Sequence, residues 1–299
     1  MLKVNDVTKY YGSFLAVDNL SFEVKEGEVF GLLGINGAGK TTTFRMIMGL
    51  LEPTEGNISL YDKKIDYSVT DDIGFLTEER SLLTKLTVKE QALYYGHLKS
   101  MKEDKIISRL KDLLKEFEIP EYFERKIKEL SKGNQQKIQF IMAILNNPKL
   151  LILDEPFTGL DPINIELFKK QIKFLKDNGA IIIFSSHRME HVELFCEKLV
   201  VLVRGNTVLN GYLDKIKKDY RKKTIFVNGD VEKKELLKIS GVEAVKKQNN
   251  QYEIIIDDAS KVENVFKYIK GCKNIIKFSV EEPSLNDIFI AKVGEYYDK

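Results

Sequence analysis

The sequence predicts an α/β protein with a parallel core sheet, followed by a smaller α+β domain. Three observations carry this prediction. The run Leu150-Leu151-Ile152-Leu153 is short and wholly apolar, as expected of a central parallel strand buried on both faces. A second apolar strand, 28–33, leads through a glycine-rich turn into a helix that passes Phe44, Met46 and Ile47 and stops at Gly49. Beyond residue 223 the apolar pattern gives strand 224–227, helix 231–238, strands 242–247 and 252–256, helix 261–269 and strand 275–280. Asn249-Asn250 supplies the turn between the middle strands, and the order is that of a split βαβ, ferredoxin-like domain.

Composition narrows the class. At 299 residues, 43% hydrophobic and 31% charged, the chain has the balance of a globular protein with room for two domains. Lys and Arg number 47 against 45 Asp and Glu, a formal charge of +2, so no large field is present to recruit nucleic acid. Cys196 and Cys272 make no disulfide framework, and reduced thiols of a cytosolic protein are expected. The opening Met1-Leu2-Lys3-Val4-Asn5-Asp6 lacks a signal-peptide core, and no run approaches the roughly 18 apolar residues of a membrane span. A membrane role is therefore expected to run through a partner.

The turn after strand 28–33 reads Gly34-Ile35-Asn36-Gly37-Ala38-Gly39-Lys40-Thr41-Thr42 and fits the phosphate loop G-x-x-x-x-G-K-[ST] in the strand–turn–helix setting that motif requires. Its glycines let backbone N–H groups face phosphates at a helix N-terminus. Lys40 is expected on the β and γ phosphates and Thr41 on Mg²⁺. Strand 150–153 ends in Asp154-Glu155, the Walker B pattern: one carboxylate to hold the metal, Asp154, and an adjacent one to orient or deprotonate the attacking water, Glu155. ATP and Mg²⁺ are the expected cofactors.

Shortly before that strand stands Leu130-Ser131-Lys132-Gly133-Asn134-Gln135-Gln136-Lys137. Alone, it reads as an ordinary helix cap. In order with the other blocks it resembles the LSGGQ signature of ATP-binding cassette (ABC) proteins. The resemblance implies an ABC ATPase cassette with a parallel core sheet, an antiparallel β subdomain and a helical subdomain. It implies ATP hydrolysis coupled to head-to-tail dimerisation, as homodimer or with a similar subunit, in which Ser131, Lys132, Gly133 and Asn134 act in trans. It also implies separate transmembrane permease subunits and a peripheral place on the cytoplasmic face of the membrane.

Further residues follow from the same resemblance. Tyr11 matches the aromatic on which adenine stacks, a core tyrosine being the alternative. Asp161, in Thr158-Gly159-Leu160-Asp161, falls in the D-loop, and His187, after the apolar strand 180–184, matches the switch histidine. His97 and His191 match no motif position. Two departures stand out: Glu78 occupies the Q-loop glutamine position and is expected to ligate Mg²⁺, while Lys132 and Asn134 replace a glycine and the glutamine of the signature.

Residues 3–24 read as β-rich and partly exposed, and Thr87-Val88-Lys89-Glu90 as a capping box opening the helical part, with a second helix over 103–117. The resemblance places a permease-facing groove here, with the loop 79–86, Tyr94 and Tyr95 as contact candidates. Residues 1–213 are expected to form the ATPase domain, 214–223 a basic linker, and 224–299 the accessory domain. Pro283-Ser284-Leu285-Asn286-Asp287-Ile288-Phe289 resembles the closing segment of ATPase subunits in type-2 ABC exporters. Two other readings stay open at this point: a soluble ABC ATPase acting on DNA or the ribosome, and a catalytically dead regulator.

Overall fold

The computed structural model describes residues 1–79, 81–249 and 251–297, and the chain divides into two units, Met1–Asn210 and Gly211–Lys299. In the first unit, β1 (Leu2–Tyr11) and β2 (Phe14–Val24) form an antiparallel hairpin. Then β3 (Val29–Gly34) runs into α1 (Lys40–Ile47), and β4 (Glu55–Leu60) with the short β5 (Lys63–Lys64) completes a four-stranded sheet in the order β2-β1-β4-β5. After β6 (Ile73–Leu76) come three helices, α2 (Val88–Leu98), α3 (Glu103–Glu116) and α4 (Lys132–Ile144). The expected capping box at Thr87 and Glu90 is present in both directions.

The chain continues through β7 (Leu150–Asp154), α5 (Pro162–Asp177), β8 (Ile181–Ser185), α6 (Met189–Phe195), β9 (Lys198–Val203) and β10 (Asn206–Tyr212). The second sheet has the order β10-β9-β3-β8-β7-β6, and every pair from β9 to β6 is parallel. All residues of β7 and β8 are buried, which is why these strands read as unbroken apolar runs. Leu150, Ile152, Ile181 and Ile183 pack with Phe44 and Ile47 of α1 and with Leu2, Val4 and Phe22 of the antiparallel sheet. Phe22 stacks on Phe30 at 4.4 Å between ring centroids, joining the two sheets. Phe117 of the helical part, Phe140 of α4 and Phe168 of α5 form a separate aromatic cluster, with Phe140 and Phe168 4.5 Å apart.

The second unit opens with α7 (Leu213–Asp219), so the stretch expected as a basic linker is largely helical. Buried Leu213 and half-buried Ile216 lie three apart, giving this lysine-rich run one apolar stripe on which to wind. There follow β11 (Lys223–Asp230), α8 (Lys233–Leu236), β12 (Val242–Gln248), β13 (Gln251–Ile256), α9 (Val262–Lys270), β14 (Lys273–Glu281) and α10 (Leu285–Tyr297). The sheet order β12-β13-β11-β14, antiparallel throughout, is the ferredoxin-like arrangement. Ile225, Val227, Ile254 and Ile256 meet Leu236, Val265 and Ile269 in its core. Helix α8 is a single turn where 231–238 was expected. Asn249 sits at φ +51° in the hairpin turn, and Asn250 lies outside the described residues.

Candidate nucleotide site

Four neighbouring strands of the parallel sheet, β3, β8, β7 and β6, all end on one edge, and each delivers a predicted group there. Register pairs Gly31 with Phe184, Asp154 with Ser185, and Leu76 with Leu153. The phosphate loop, His187, the Asp154-Glu155 pair and Glu78 therefore leave adjacent strands at the same level. Ligands of open parallel sheets bind at this carboxyl edge.

The loop from Gly34 to Lys40 depends on glycine. Gly39, at φ +107°, caps α1, and a Cβ there would lie 2.6 Å from Ala16 O of β2. Gly34 is as tight, with Leu202 O 2.5 Å from a would-be Cβ. Gly37 is also at positive φ but faces open space, leaving room for a ligand to approach the backbone. Lys40 Nζ donates to Gly34 O at 2.8 Å and Ile35 O at 3.3 Å, so the ammonium lies across the loop. Thr41 and Thr42 open the helix beside it, Thr41 exposed, and Asn36 and Gly37 form the exposed crest, while Ala38 is buried under it.

At the end of β7, Asp154 accepts a hydrogen bond from Ser185 Oγ of β8 at 2.5 Å. Burial pushes its carboxyl above its ordinary value; Glu78 adds to that rise, and Ser185 and Lys40 oppose it. The charge of Glu78 thus reaches Asp154, and a divalent cation between two such carboxylates would relieve their repulsion. The described residues hold no group of three or more His, Cys, Asp or Glu side chains able to bind a metal. One or two carboxylates are what Mg²⁺ ordinarily takes from a protein when phosphates and water supply the rest of its oxygens.

Glu155 is buried and adopts φ +50°, a left-handed conformation that costs a non-glycine residue about 1–2 kcal/mol. Its Oε2 accepts from His187 Nδ1 at 2.9 Å and from Ser186 Oγ at 3.2 Å, and its N–H donates to Ser185 O at 3.2 Å. Burial again pushes the carboxyl up, while the bond and charge of His187 pull it down. A buried carboxylate bonded to an imidazole is placed by its geometry to exchange a proton. His191, by contrast, packs its ring against Phe157 at 4.8 Å, burial pushes its imidazole down, and it belongs to the core; His97 is exposed on α2.

Glu78 is exposed, two residues past β6. Its neighbours are held by Gln139 of α4, a contact no motif announced. Sequence reading gave Ser185, Ser186, Gln136 and Gln139 no role, although Gln136 lies within the quoted signature block and the two serines directly precede His187. Tyr11 ends β1 opposite Phe14, both exposed, at the tip of the hairpin whose Ala16 abuts Gly39. The nearby Lys9 ammonium is 5.7 Å from the Tyr11 ring centroid, and the core-tyrosine alternative does not hold.

The signature residues form a second grouping. Ser131 caps α4 through Asn134 N–H at 3.2 Å, Lys132 is exposed in the first turn, and Gly133 faces Gly159 and Leu160 of the D-loop. Asp161 caps α5, accepting from Asn164 N–H at 2.9 Å. Asn134 turns inward, donating to Tyr122 Oη at 2.9 Å, so its amide is committed within its own helical subdomain.

A phosphate loop, a Walker B pair and a capped signature helix on this fold define an ATP-hydrolysing cassette. The family model described as ABC transporter matches residues 17–158, and one described as the C-terminal domain of DrrA1-3-like ATP-binding proteins matches 211–293. The chain is 46% identical over 298 residues to the ABC transporter ATP-binding protein YhaQ of Bacillus subtilis, covering all of both chains. It is 30% identical to the bacitracin transport ATP-binding protein BcrA of Bacillus licheniformis, covering 98% of this chain and 97% of that one. Among solved structures, an ATP-binding subunit of an ABC transporter superposes with TM-score 0.69 at 32% identity, over 74% of this chain and 93% of that one. A bacterial ABC transporter cassette solved as a dimer gives 0.65 at 28% identity, over 71% and 99%. The chain belongs to the ATP-binding subunits of ABC transporters: it binds and hydrolyses ATP to power transport, dimerises, and works with transmembrane subunits. No described helix is long and apolar enough to cross a membrane. The transporter relatives set aside the reading of an ATPase acting on DNA or the ribosome.

Proposed function

We propose that this subunit drives export, with Glu155 as the general base of hydrolysis. The observation that carries the assignment is the buried Glu155 carboxylate bonded to His187 across two strand ends. In this reading Lys40 and the backbone of Gly34 to Thr42 bind the phosphates, and Tyr11 stacks on the adenine. Asp154, Thr41 and Glu78 hold Mg²⁺, which when bound neutralises charge on the β and γ phosphates. Glu155 takes a proton from the attacking water, and His187 orients that carboxylate and faces the γ-phosphate. Ser131, Lys132, Gly133 and Asp161 act across the dimer from a second copy of this chain, or from a similar subunit. Asn134 supports that surface from within through Tyr122.

The permease is a separate polypeptide. In this reading it docks at a cavity of about 310 Å³ lined by Thr77, Ser81, Leu82, Tyr95, Lys99 and Gln139, and the subunit sits peripherally on the cytoplasmic face of the membrane through that contact. The direction of transport rests on likeness to the Nod factor export ATP-binding protein I of Rhizobium etli, 35% identical over 210 residues. Sedimentation of Glu155→Gln with ATP and Mg²⁺ tests the reading: a stable dimer that does not turn over is expected. A protein that stays monomeric, or that hydrolyses at the wild-type rate, overturns it.

A further inference from the structure

Gln139 stands in the middle of α4, 3% exposed, and its amide nitrogen reaches three oxygens of one loop. Thr77 O is at 3.0 Å, Thr77 Oγ1 at 3.3 Å and Glu79 O at 3.2 Å. Those are the residues on either side of Glu78. Three acceptors around one terminus fix it as the amino end, and the other end, Oε1, is buried without a partner among the described residues. A glutamine that leaves its own oxygen unsatisfied is a costly way to fill a core position, where an apolar side chain of similar length carries no such penalty. Holding the loop accounts for the residue; packing alone does not.

Glu78 and Glu79 are exposed and belong to no strand or helix, and Thr77 Oγ1 donates to Glu79 O within the loop itself. The helix that holds it is the one Ser131 caps, and eight residues separate Ser131 from Gln139, about two turns of a stiff rod. One turn nearer the cap, Gln136 Nε2 donates to Pro156 O at 3.0 Å, next to Glu155. A single helix thus has an amide on the exit of β6 and another on the exit of β7.

We propose that Gln139 is a positioning residue: it fastens the Thr77–Glu79 segment to α4, so that the Glu78 carboxylate moves with the helix carrying the signature serine. A shift of α4, whether caused by a docked permease or by a second subunit closing on Ser131, is then carried to the metal side of the site. The inference rests on the assignment of Glu78 to Mg²⁺ for its catalytic consequence, but not for the anchoring itself.

The test uses the full chain with Gln139→Leu, and Gln139→Met should the leucine variant fold poorly by its melting curve. Two readouts are taken. Nicking of the native protein after Glu78 and Glu79 by a glutamyl endopeptidase, mapped by mass, reports anchoring; nicking after Glu26, in an exposed turn, is the control. The Mg²⁺ concentration for half-maximal hydrolysis reports the consequence, measured also in a Glu78→Ala background. Nicking at Glu78 and Glu79 is expected to speed up roughly 2–10-fold, the worth of one ordinary hydrogen bond, with Glu26 unchanged. The Mg²⁺ requirement should rise by a similar factor in the wild-type background and not at all beside Glu78→Ala. Unchanged nicking overturns the proposal, as does a Mg²⁺ shift that persists without Glu78. Faster nicking while Glu78→Ala itself leaves the Mg²⁺ curve in place supports the anchoring and refutes the assignment of Glu78 to the metal.

Discussion

His187 Nδ1 lies 2.9 Å from Glu155 Oε2, so an exposed imidazole just past β8 holds a buried carboxylate just past β7. The pairing joins the proposed proton acceptor to an imidazole that is open to solvent. Its chemistry leads to the first two predictions.

Glu155→Gln keeps the size and one oxygen of the side chain but removes the proton acceptor. Steady-state hydrolysis should fall roughly 10²–10⁴-fold while ATP affinity by calorimetry stays within a factor of about two. Phosphate release at the wild-type rate would remove Glu155 from the role of base.

Burial raises the Glu155 pKa, and the hydrogen bond and charge of His187 pull it back down. In His187→Ala burial is left less opposed, so the pKa climbs. Because the base acts ionised, the acid limb of the kcat profile should move to higher pH, beyond any uniform fall in rate. A limb that stays put, or moves to lower pH, contradicts the coupling.

Asp154 offers a stability test. Its folded pKa is raised above the unfolded value, chiefly by burial, so the folded chain holds that proton more tightly. The contribution is fully present below the unfolded value of 3.8 and is lost as pH rises through the folded value. Asp154→Asn retains an oxygen for Ser185 and has no charge to bury. Without metal or nucleotide it should melt above wild type at pH 7, with the gap closing as the solution is acidified. Adding Mg²⁺ and ATP should reverse the order, since ligand stabilises only the chain that binds it. A variant that melts below wild type at pH 7 without ligands would refute the account.

Glu78→Gln restores an amide where the chain has a second carboxylate near Asp154. The Mg²⁺ requirement for hydrolysis should rise, and affinity for ATP in the absence of metal should change far less. Superimposable Mg²⁺ titrations for the two proteins would show that Glu78 faces solvent throughout turnover.

A chain ending at Asn210 retains Tyr11, Lys40, Ser131, Glu155 and His187, all within the first unit. It should bind ATP with wild-type affinity, while the Glu155→Gln dimer formed with ATP should weaken several-fold by sedimentation without the second unit. Equal dimer constants would deny residues 211–299 a part in assembly.

Much of this molecule could be read from its residues because the decisive elements are local. A phosphate loop needs its glycines, its lysine and the strand–helix context, all within 28–47, and β7 and β8 are so thoroughly buried that their composition betrays them. The ferredoxin-like tail was legible for the same reason, through strands spaced by turns and helices. What escaped is non-local or degenerate. Gln136 and Gln139 bond backbone oxygens 20 and 62 positions away, Pro156 O and Thr77 O, and a glutamine within an apolar helix gives no sign of its target. The inward turn of Asn134 depends on Tyr122, twelve residues before it, and no motif records that side chain's direction. Helix α7 was hidden by its charge, since seven residues give too few apolar positions for a period to stand out from the lysines.

The left-handed backbone at Glu155 is strain that its surroundings must hold in place. Glycine would adopt φ +50° freely, but it would leave Ser186 and His187 without the carboxylate that ties the ends of β7 and β8 together, so the strain and the cross-strand tie come as one unit.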